Sequence, residues 1–261
     1  MSGPTERNVE IGGLPCRVWE KGEGEPLGFL AGIGGLPKWP PLLERLSADR
    51  RVIAPSLPGY PGALGHDQLD TQLDWVLATR DLLCAAGLEG ADLIGVSVGG
   101  ALAAEVAAIW PTMVRRLVLV APLGLYDPDQ PMTDFFAIAP KTLPQLVCAD
   151  PANYDALVER PEGADEVEWK IQQIRAASAA ARLLWPLGDT RLAKRLHRIG
   201  NPTLLLWGTE DRIVSPRLAE KFSAAISGAT EIQAIPGAGH LADLDAPDAV
   251  GDAVLTFLGR A

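Results

Sequence analysis

A chain of 261 residues with 48% hydrophobic and 21% charged content is long enough to bury a sizeable core, and reads as one large globular domain or a domain with a substantial insertion. Its formal charge of −10 comes without long acidic runs and makes nucleic acid a poor partner. No basic, apolar leader opens the sequence and no apolar run reaches the roughly 18–20 residues that span a bilayer, so a cytoplasmic protein with no membrane partner is expected.

Three strand candidates come first, near 8–12, 15–20 and 26–31, with tight turns at Gly12-Gly13 and at 22–26 that predict an antiparallel opening. A helix near 40–48 and a strand at 51–55 follow. The next helix covers about 68–86, where Leu69, Leu73, Val76, Leu77 and Leu83 recur at helical spacing. ADLIGV at 91–96 reads as a strand, 98–109 as a helix, and RRLVLVA at 115–121 as a strand. Near the end come PTLLLWG at 202–208, a helix at about 215–226, TEIQAI at 230–235 and a last helix at 246–258. This alternation predicts a mostly parallel sheet with helices on both faces. LVLVA and TLLLW are apolar throughout, as strands buried on two faces must be.

Residues 124–197 break the rhythm. They are rich in proline, carry helical patches such as Val167, Ile171 and Ile174, and hold no convincing strand. A structureless loop of that length is improbable in a compact domain, so a helical insertion over the C-terminal edge of the sheet is expected. Cys16, Cys84 and Cys148 are far apart and match no disulfide or zinc spacing, and are read as small apolar fillers.

Gly95-Val96-Ser97-Val98-Gly99 lies between the strand candidate ADLIGV and the helical run ALAAEVAAIW. The string GxSxG alone is weak; the strand, sharp turn and helix around it give it weight. A serine on so tight a turn takes a strained backbone, and residues two positions away on either side must be small for strand and helix to approach. The helix N-terminus then directs free N–H groups and its positive end at the serine. Ser97 is therefore the candidate nucleophile.

A serine hydroxyl needs a base, and the chain has three histidines. His66 sits in the turn-rich GALGHD and His197 in the basic KRLHRI, both expected at the solvated surface. His240 closes PGAGH between the strand candidate TEIQAI and the last helix, at the edge of the sheet where Ser97 also lies. Its partner carboxylate is read as Asp211 in WGTEDRIV, just past TLLLW, with Glu210 and Asp127 as alternatives. The order Ser, Asp, His fits this reading, whereas a purely structural Asp211 would be an acid capping the helix that follows.

A tetrahedral oxyanion needs two fixed donors. The Val98 N–H is one candidate. The other is the Ile33 N–H in LAGIGGLP at 30–37, with Gly34 in reserve. This glycine cluster fits neither phosphate-binding pattern, because Pro37 stands where a Lys-Ser/Thr pair would be needed.

Taken together, GVSVGG around Ser97, WGTEDRIV around Asp211 and PGAGH ending at His240 resemble the α/β-hydrolase superfamily over nearly the whole chain. The likeness is to small capped hydrolases: carboxylesterases, non-haem haloperoxidase-like enzymes and hydrolases of aromatic meta-cleavage products. The resemblance implies a mostly parallel eight-stranded sheet with helices on both faces, a core of 1–123 and 198–261, a helical cap at 124–197, and no metal or organic cofactor. Two positions depart from the family pattern. Ala31-Gly32 stands where His-Gly is common, and Leu241 follows His240 where carbon–carbon hydrolases often carry tryptophan.

Apolar residues such as Met132, Phe135, Phe136, Leu143 and Trp185 predict a largely apolar pocket under the cap. Phe135, Phe136, Trp185 and Leu241 are the candidate substrate-binding residues. The expected function is serine hydrolysis of an ester-type acyl bond in a small to medium hydrophobic molecule, by a monomer or homodimer. Carbon–carbon hydrolysis of a vinylogous diketone is the alternative, and a non-catalytic small-molecule binder on the same fold is the other.

Overall fold

The computed structural model describes residues 3–185, 187 and 189–259. Gly12 and Gly13 both take positive φ, the geometry a two-residue hairpin turn needs, and join β1 (Thr5–Ile11) to β2 (Leu14–Lys21) in antiparallel register. The third strand does not continue this meander. β3 (Pro26–Leu30) is buried along nearly its whole length and enters the middle of the sheet, parallel to both of its neighbours. The antiparallel opening therefore ends with β2, because an apolar strand such as PLGFL needs cover on both faces.

After α1 (Pro41–Leu46) comes β4 (Arg51–Pro55), which pairs with β2 and β3. α2 (Gln72–Ala86) starts later than the periodicity predicts, because Thr71 and Asp74 form a reciprocal capping box. It buries Trp75, Val76, Thr79, Leu82, Leu83 and Ala86, while Leu73 and Leu77 fall on its outer side and are exposed. β5 (Ala91–Val96), α3 (Ser97–Ile109) and β6 (Val114–Val120) follow, then α4 (Leu143–Val147), α5 (Pro151–Val158) and α6 (Glu166–Leu184). The chain ends with β7 (Thr203–Gly208), α7 (Leu218–Ala225), β8 (Thr230–Ile235), the short turn α8 (Ala242–Asp245) and α9 (Pro247–Leu258).

Among the described residues eight strands form one sheet, in the order β1-β2-β4-β3-β5-β6-β7-β8, in which β2 alone runs opposite to the other seven. This is the architecture implied by the resemblance. β5 and β7 are buried at every position, as their sequences require. Strand order reverses between β3 and β5, so the loops leaving these two strands lie side by side at the C-terminal edge, where open α/β sheets bind ligands.

Residues 124–197 contain no strand among those described. Within them, α6 turns an alanine face inward, with Ala176, Ala179 and Ala180 buried, whereas Val167, Ile171 and Ile174 are exposed. Small side chains let the helix approach closely, and the larger apolar residues are left outside. His66 is likewise not a solvated residue. It is half-buried against Gly59 and near Ala179, its Nδ1 has no hydrogen-bond partner among the described residues, and desolvation lowers its pKa. His197 is exposed. Cys16 and Cys148 are buried, and burial pushes the Cys16 thiol up to about 11. No helix of the described residues is long and apolar enough to cross a membrane.

Candidate active site

Ser97 leaves β5 with φ of 53°, a left-handed conformation that costs a non-glycine residue about 1–2 kcal/mol and lifts its side chain off the strand. The turn closes only because its flanks lack side chains. A Cβ on Gly95 would sit 2.6 Å from the Gly99 carbonyl oxygen, and one on Gly99 would lie 2.5 Å from the Ala31 carbonyl oxygen. The Leu123 N–H donates to the Ser97 carbonyl oxygen at 3.1 Å, pinning the turn from β6's exit loop.

His240 arrives from the loop after β8. Its Nε2 lies 2.7 Å from Ser97 Oγ, and its Nδ1 lies 2.9 Å from Asp211 Oδ2. A carboxylate can only accept, so Nδ1 of the neutral ring carries the proton and Nε2 is left free to accept from the serine hydroxyl. Asp211 is held by three further donors. The Ile213 and Val214 N–H groups donate to Oδ1 at 2.8 and 2.9 Å, and Trp207 Nε1 donates to Oδ2 at 3.1 Å. Asp211 thus anchors its own turn and also meets the imidazole. The alternative carboxylates are engaged elsewhere: Asp127 pairs with Lys221 at 2.6 Å and Glu210 faces Arg212 at 3.8 Å.

The second loop at the switch point brings Gly32 against Ser97: a Cβ on Gly32 would lie 3.4 Å from the serine Cβ and 2.9 Å from Leu241 Cδ2. Val98 is the second residue of α3, where no intrahelical acceptor is available to its N–H. The Ile33 N–H makes no backbone hydrogen bond among the described residues. Both loops of the site are braced by the 124–197 segment and α8. The Leu241 N–H donates to the Val147 carbonyl at 2.7 Å, and Asp245 accepts from the Gly239 and Ala149 N–H groups at 2.8 and 2.7 Å. Thr133 Oγ1 donates to the Arg212 carbonyl beside Asp211 at 2.6 Å.

A cavity of about 220 Å³ opens at Ile33 and Gly34 and is walled by Phe135, Phe136, Ile138, Leu143, Tyr154 and one face of α6. Ser97 and His240 are themselves covered, each 1% exposed, and are not among the residues that wall this cavity. Of the four candidate contact residues, Phe135 and Phe136 line the cavity. Trp185 does not: it is exposed and meets Phe136 edge-on at 6.3 Å. Leu241 is buried against Gly32 rather than in the cavity wall. Tyr154 and Gln173 also line the cavity and were not singled out from sequence. The spacing of Gln173, Ala176, Ala177 and Ala180, one stripe of a helix, was the available signal. Among the described residues no three His, Cys, Asp or Glu side chains are grouped to hold a metal ion.

Asp243, three residues past His240, is buried, and its Oδ1 has no hydrogen-bond partner among the described residues. Burial raises its pKa to about 7. A carboxyl raised in the folded state stabilises the fold fully below its unfolded value near 4, and that stability is lost as pH rises through about 7. Asp243→Asn is therefore expected to melt higher than the parent at pH 8, with the difference shrinking towards pH 4. Thermal unfolding of both proteins across this range checks it; a difference independent of pH would count against it.

A family model described as the alpha/beta hydrolase family matches residues 29–253. The chain is 34% identical to the dihydrolipoyllysine-residue acetyltransferase component of the acetoin cleaving system of Pseudomonas putida, over 99% of this chain and 70% of that one. It is 27% identical to a 2-hydroxymuconate semialdehyde hydrolase, also of Pseudomonas putida, over 98% and 94%. An esterase of a Rhodococcus species superposes with a TM-score of 0.72 at 22% identity over 99% of both chains, a likeness of fold.

Proposed function

The chain belongs to the alpha/beta hydrolase family, and on that footing we propose that it is a serine hydrolase cleaving an ester-type acyl bond of a small to medium hydrophobic substrate. The observation that carries this reading is the run of contacts from Ser97 Oγ through His240 to Asp211, at 2.7 and 2.9 Å. Ser97 Oγ attacks the carbonyl carbon as its proton passes to His240 Nε2, and Asp211 holds the imidazolium that results. The Ile33 and Val98 N–H groups receive the oxyanion, where losing one donor costs on the order of 10²–10³ in rate. His240 then protonates the leaving alcohol, leaving an acyl ester on Ser97. Water, deprotonated by His240, adds to that ester and releases the acid. Residues 124–197 act as a cap, supplying the apolar wall of the pocket and bracing the loops that carry His240 and Asp211.

The acetyltransferase relative and a hydrolase share an acyl group in transit and differ in what accepts it. Carbon–carbon hydrolysis, with the 2-hydroxymuconate semialdehyde hydrolase relative in its favour, is the second reading; Leu241 after His240 weighs against it. One panel separates the three: p-nitrophenyl esters of rising chain length, the same esters with an added thiol acceptor, and a dienol whose absorbance is lost on cleavage. Ester turnover to free acid, well above dienol turnover and undiverted by the thiol, is the expected result. Turnover of the dienol alone would replace this reading by the second, and stable acylation without release would favour a binder.

A further inference from the structure

We propose that Asp245 is a positioning residue for catalysis: its carboxylate ties the backbone beside His240 to residues 149–153 of the cap, and this strut sets where the imidazole stands. The inference rests on the serine-hydrolase reading above and adds to it a residue that acts only through the base.

The first observation is how many donors one carboxylate collects. Asp245 Oδ2 accepts from the Gly239 N–H at 2.8 Å and the Ala149 N–H at 2.7 Å. Its Oδ1 accepts from Asn153 Nδ2 at 2.9 Å and from the Asp150 N–H at 3.4 Å. The Ala149, Asp150 and Asn153 donors lie in the cap, whereas Gly239 is the residue before His240. Hydrogen bonds to a charged acceptor are roughly twice as strong as neutral ones.

The second is that the other flank of His240 is held from the same segment. The Leu241 N–H donates to the Val147 carbonyl at 2.7 Å, and the Leu241 carbonyl accepts from the Asp245 N–H at 3.2 Å. Both chain neighbours of the base are thus fixed to residues 147–153, Leu241 directly and Gly239 through the carboxylate. The backbones are in contact here: a Cβ on Gly239 would lie 2.8 Å from the Ala149 nitrogen. Two N–H groups converge on one oxygen, and without it they point at a common place and repel.

Starting α5 does not require Asp245. Asp150 caps that helix itself, accepting from the Ala152 N–H at 3.0 Å. What the carboxylate secures is the loop whose imidazole stands 2.7 Å from Ser97 Oγ, where a shift of about 1 Å costs on the order of 10²-fold in rate.

Asp245→Ala is accordingly expected to lower kcat for p-nitrophenyl esters by about 10²-fold, with KM within about threefold. In Asp245→Asn the amide oxygen still meets Gly239 and Ala149, and Asn153 can turn its own oxygen to the new NH₂. Its kcat is expected to return to within about tenfold of the parent. The deciding arm repeats Asp245→Ala beside His240→Ala. There the residual turnover is expected to stay within about twofold, because a residue that works through the imidazole has nothing left to move. Asn153→Leu removes one cap-side donor and keeps Asp245, so it serves where Asp245→Ala does not fold. Its kcat is expected to fall by about 3- to 10-fold, and not at all beside His240→Ala. Circular dichroism and thermal unfolding establish which variants are folded at the assay temperature. Parent-like kcat in folded Asp245→Ala, a change in KM alone, or equal losses with and without His240 would each overturn the proposal; for Asn153→Leu, parent-like kcat or equal losses would do the same. If His240→Ala itself keeps the parent rate, the serine-hydrolase reading fails first and takes this one with it.

Discussion

Replacing Ser97 with alanine is expected to lower kcat for a p-nitrophenyl ester by about 10⁵–10⁶-fold while leaving KM within a few-fold. The loss falls on kcat because the hydroxyl contributes a bond that forms only on the way to the transition state. The fold should survive the change. Alanine keeps the Cβ and hence the same left-handed strain, and Leu123 still donates to the carbonyl of residue 97. The one local cost is His240 Nε2 left without its partner in a buried site, about 1–3 kcal/mol at most. Circular dichroism and steady-state kinetics on the same preparation check both halves. A folded variant with more than a hundredth of the parent activity would remove Ser97 from the nucleophile's role.

The second large effect is expected at Asp211. Asp211→Asn should reduce kcat about 10⁴-fold, because an amide N–H facing Nδ1 forces the ring proton onto Nε2, where it cannot accept from the serine. The contacts make the wrong orientation hard to avoid. If the amide oxygen stays on the Ile213 and Val214 N–H groups, the new NH₂ faces two donors, Trp207 Nε1 and His240 Nδ1. If it turns over, the two backbone N–H groups lose their acceptor instead. A loss of about 1–3 kcal/mol in stability should accompany the loss of rate. Asp127→Asn is the matched control. It gives up one ion pair to the half-exposed Lys221, worth under about 1 kcal/mol, and should leave kcat within about threefold. Equal losses in the two variants would contradict the assignment.

The strand and helix alternation was legible because β5, β6 and β7 are apolar runs of a length that fits only buried strands, bounded by turn residues. The three side chains of the site were legible for a related reason. Ser97 and Asp211 lie just past the buried strands β5 and β7, His240 follows the exposed edge strand β8, and parallel strands bring their C-terminal ends to one edge. What was hidden depended on contacts between distant segments. β3 follows β2 in sequence, yet slots between β4 and β5, a matter of which strand can be covered on both faces. Leu73 and Leu77 matched a helical period but belong to the outer face of α2, since the buried face is set by Trp75, Val76 and Thr79. In 124–197 Val167, Ile171 and Ile174 carry the helical period yet are exposed, whereas Ala176, Ala179 and Ala180 of α6 pack inward and Gln173 lines the cavity. Trp185 is apolar and lies in the same segment, yet it is exposed, because apolar character does not say which way a side chain faces.

Peptide mapping by mass spectrometry after treatment with a fluorophosphonate tests the central claim most directly, because it asks which atom of the chain becomes covalently bonded. One adduct per chain is expected, on Ser97, formed slowly or not at all in His240→Ala. An adduct on a different serine, or none while ester turnover continues, would contradict the account.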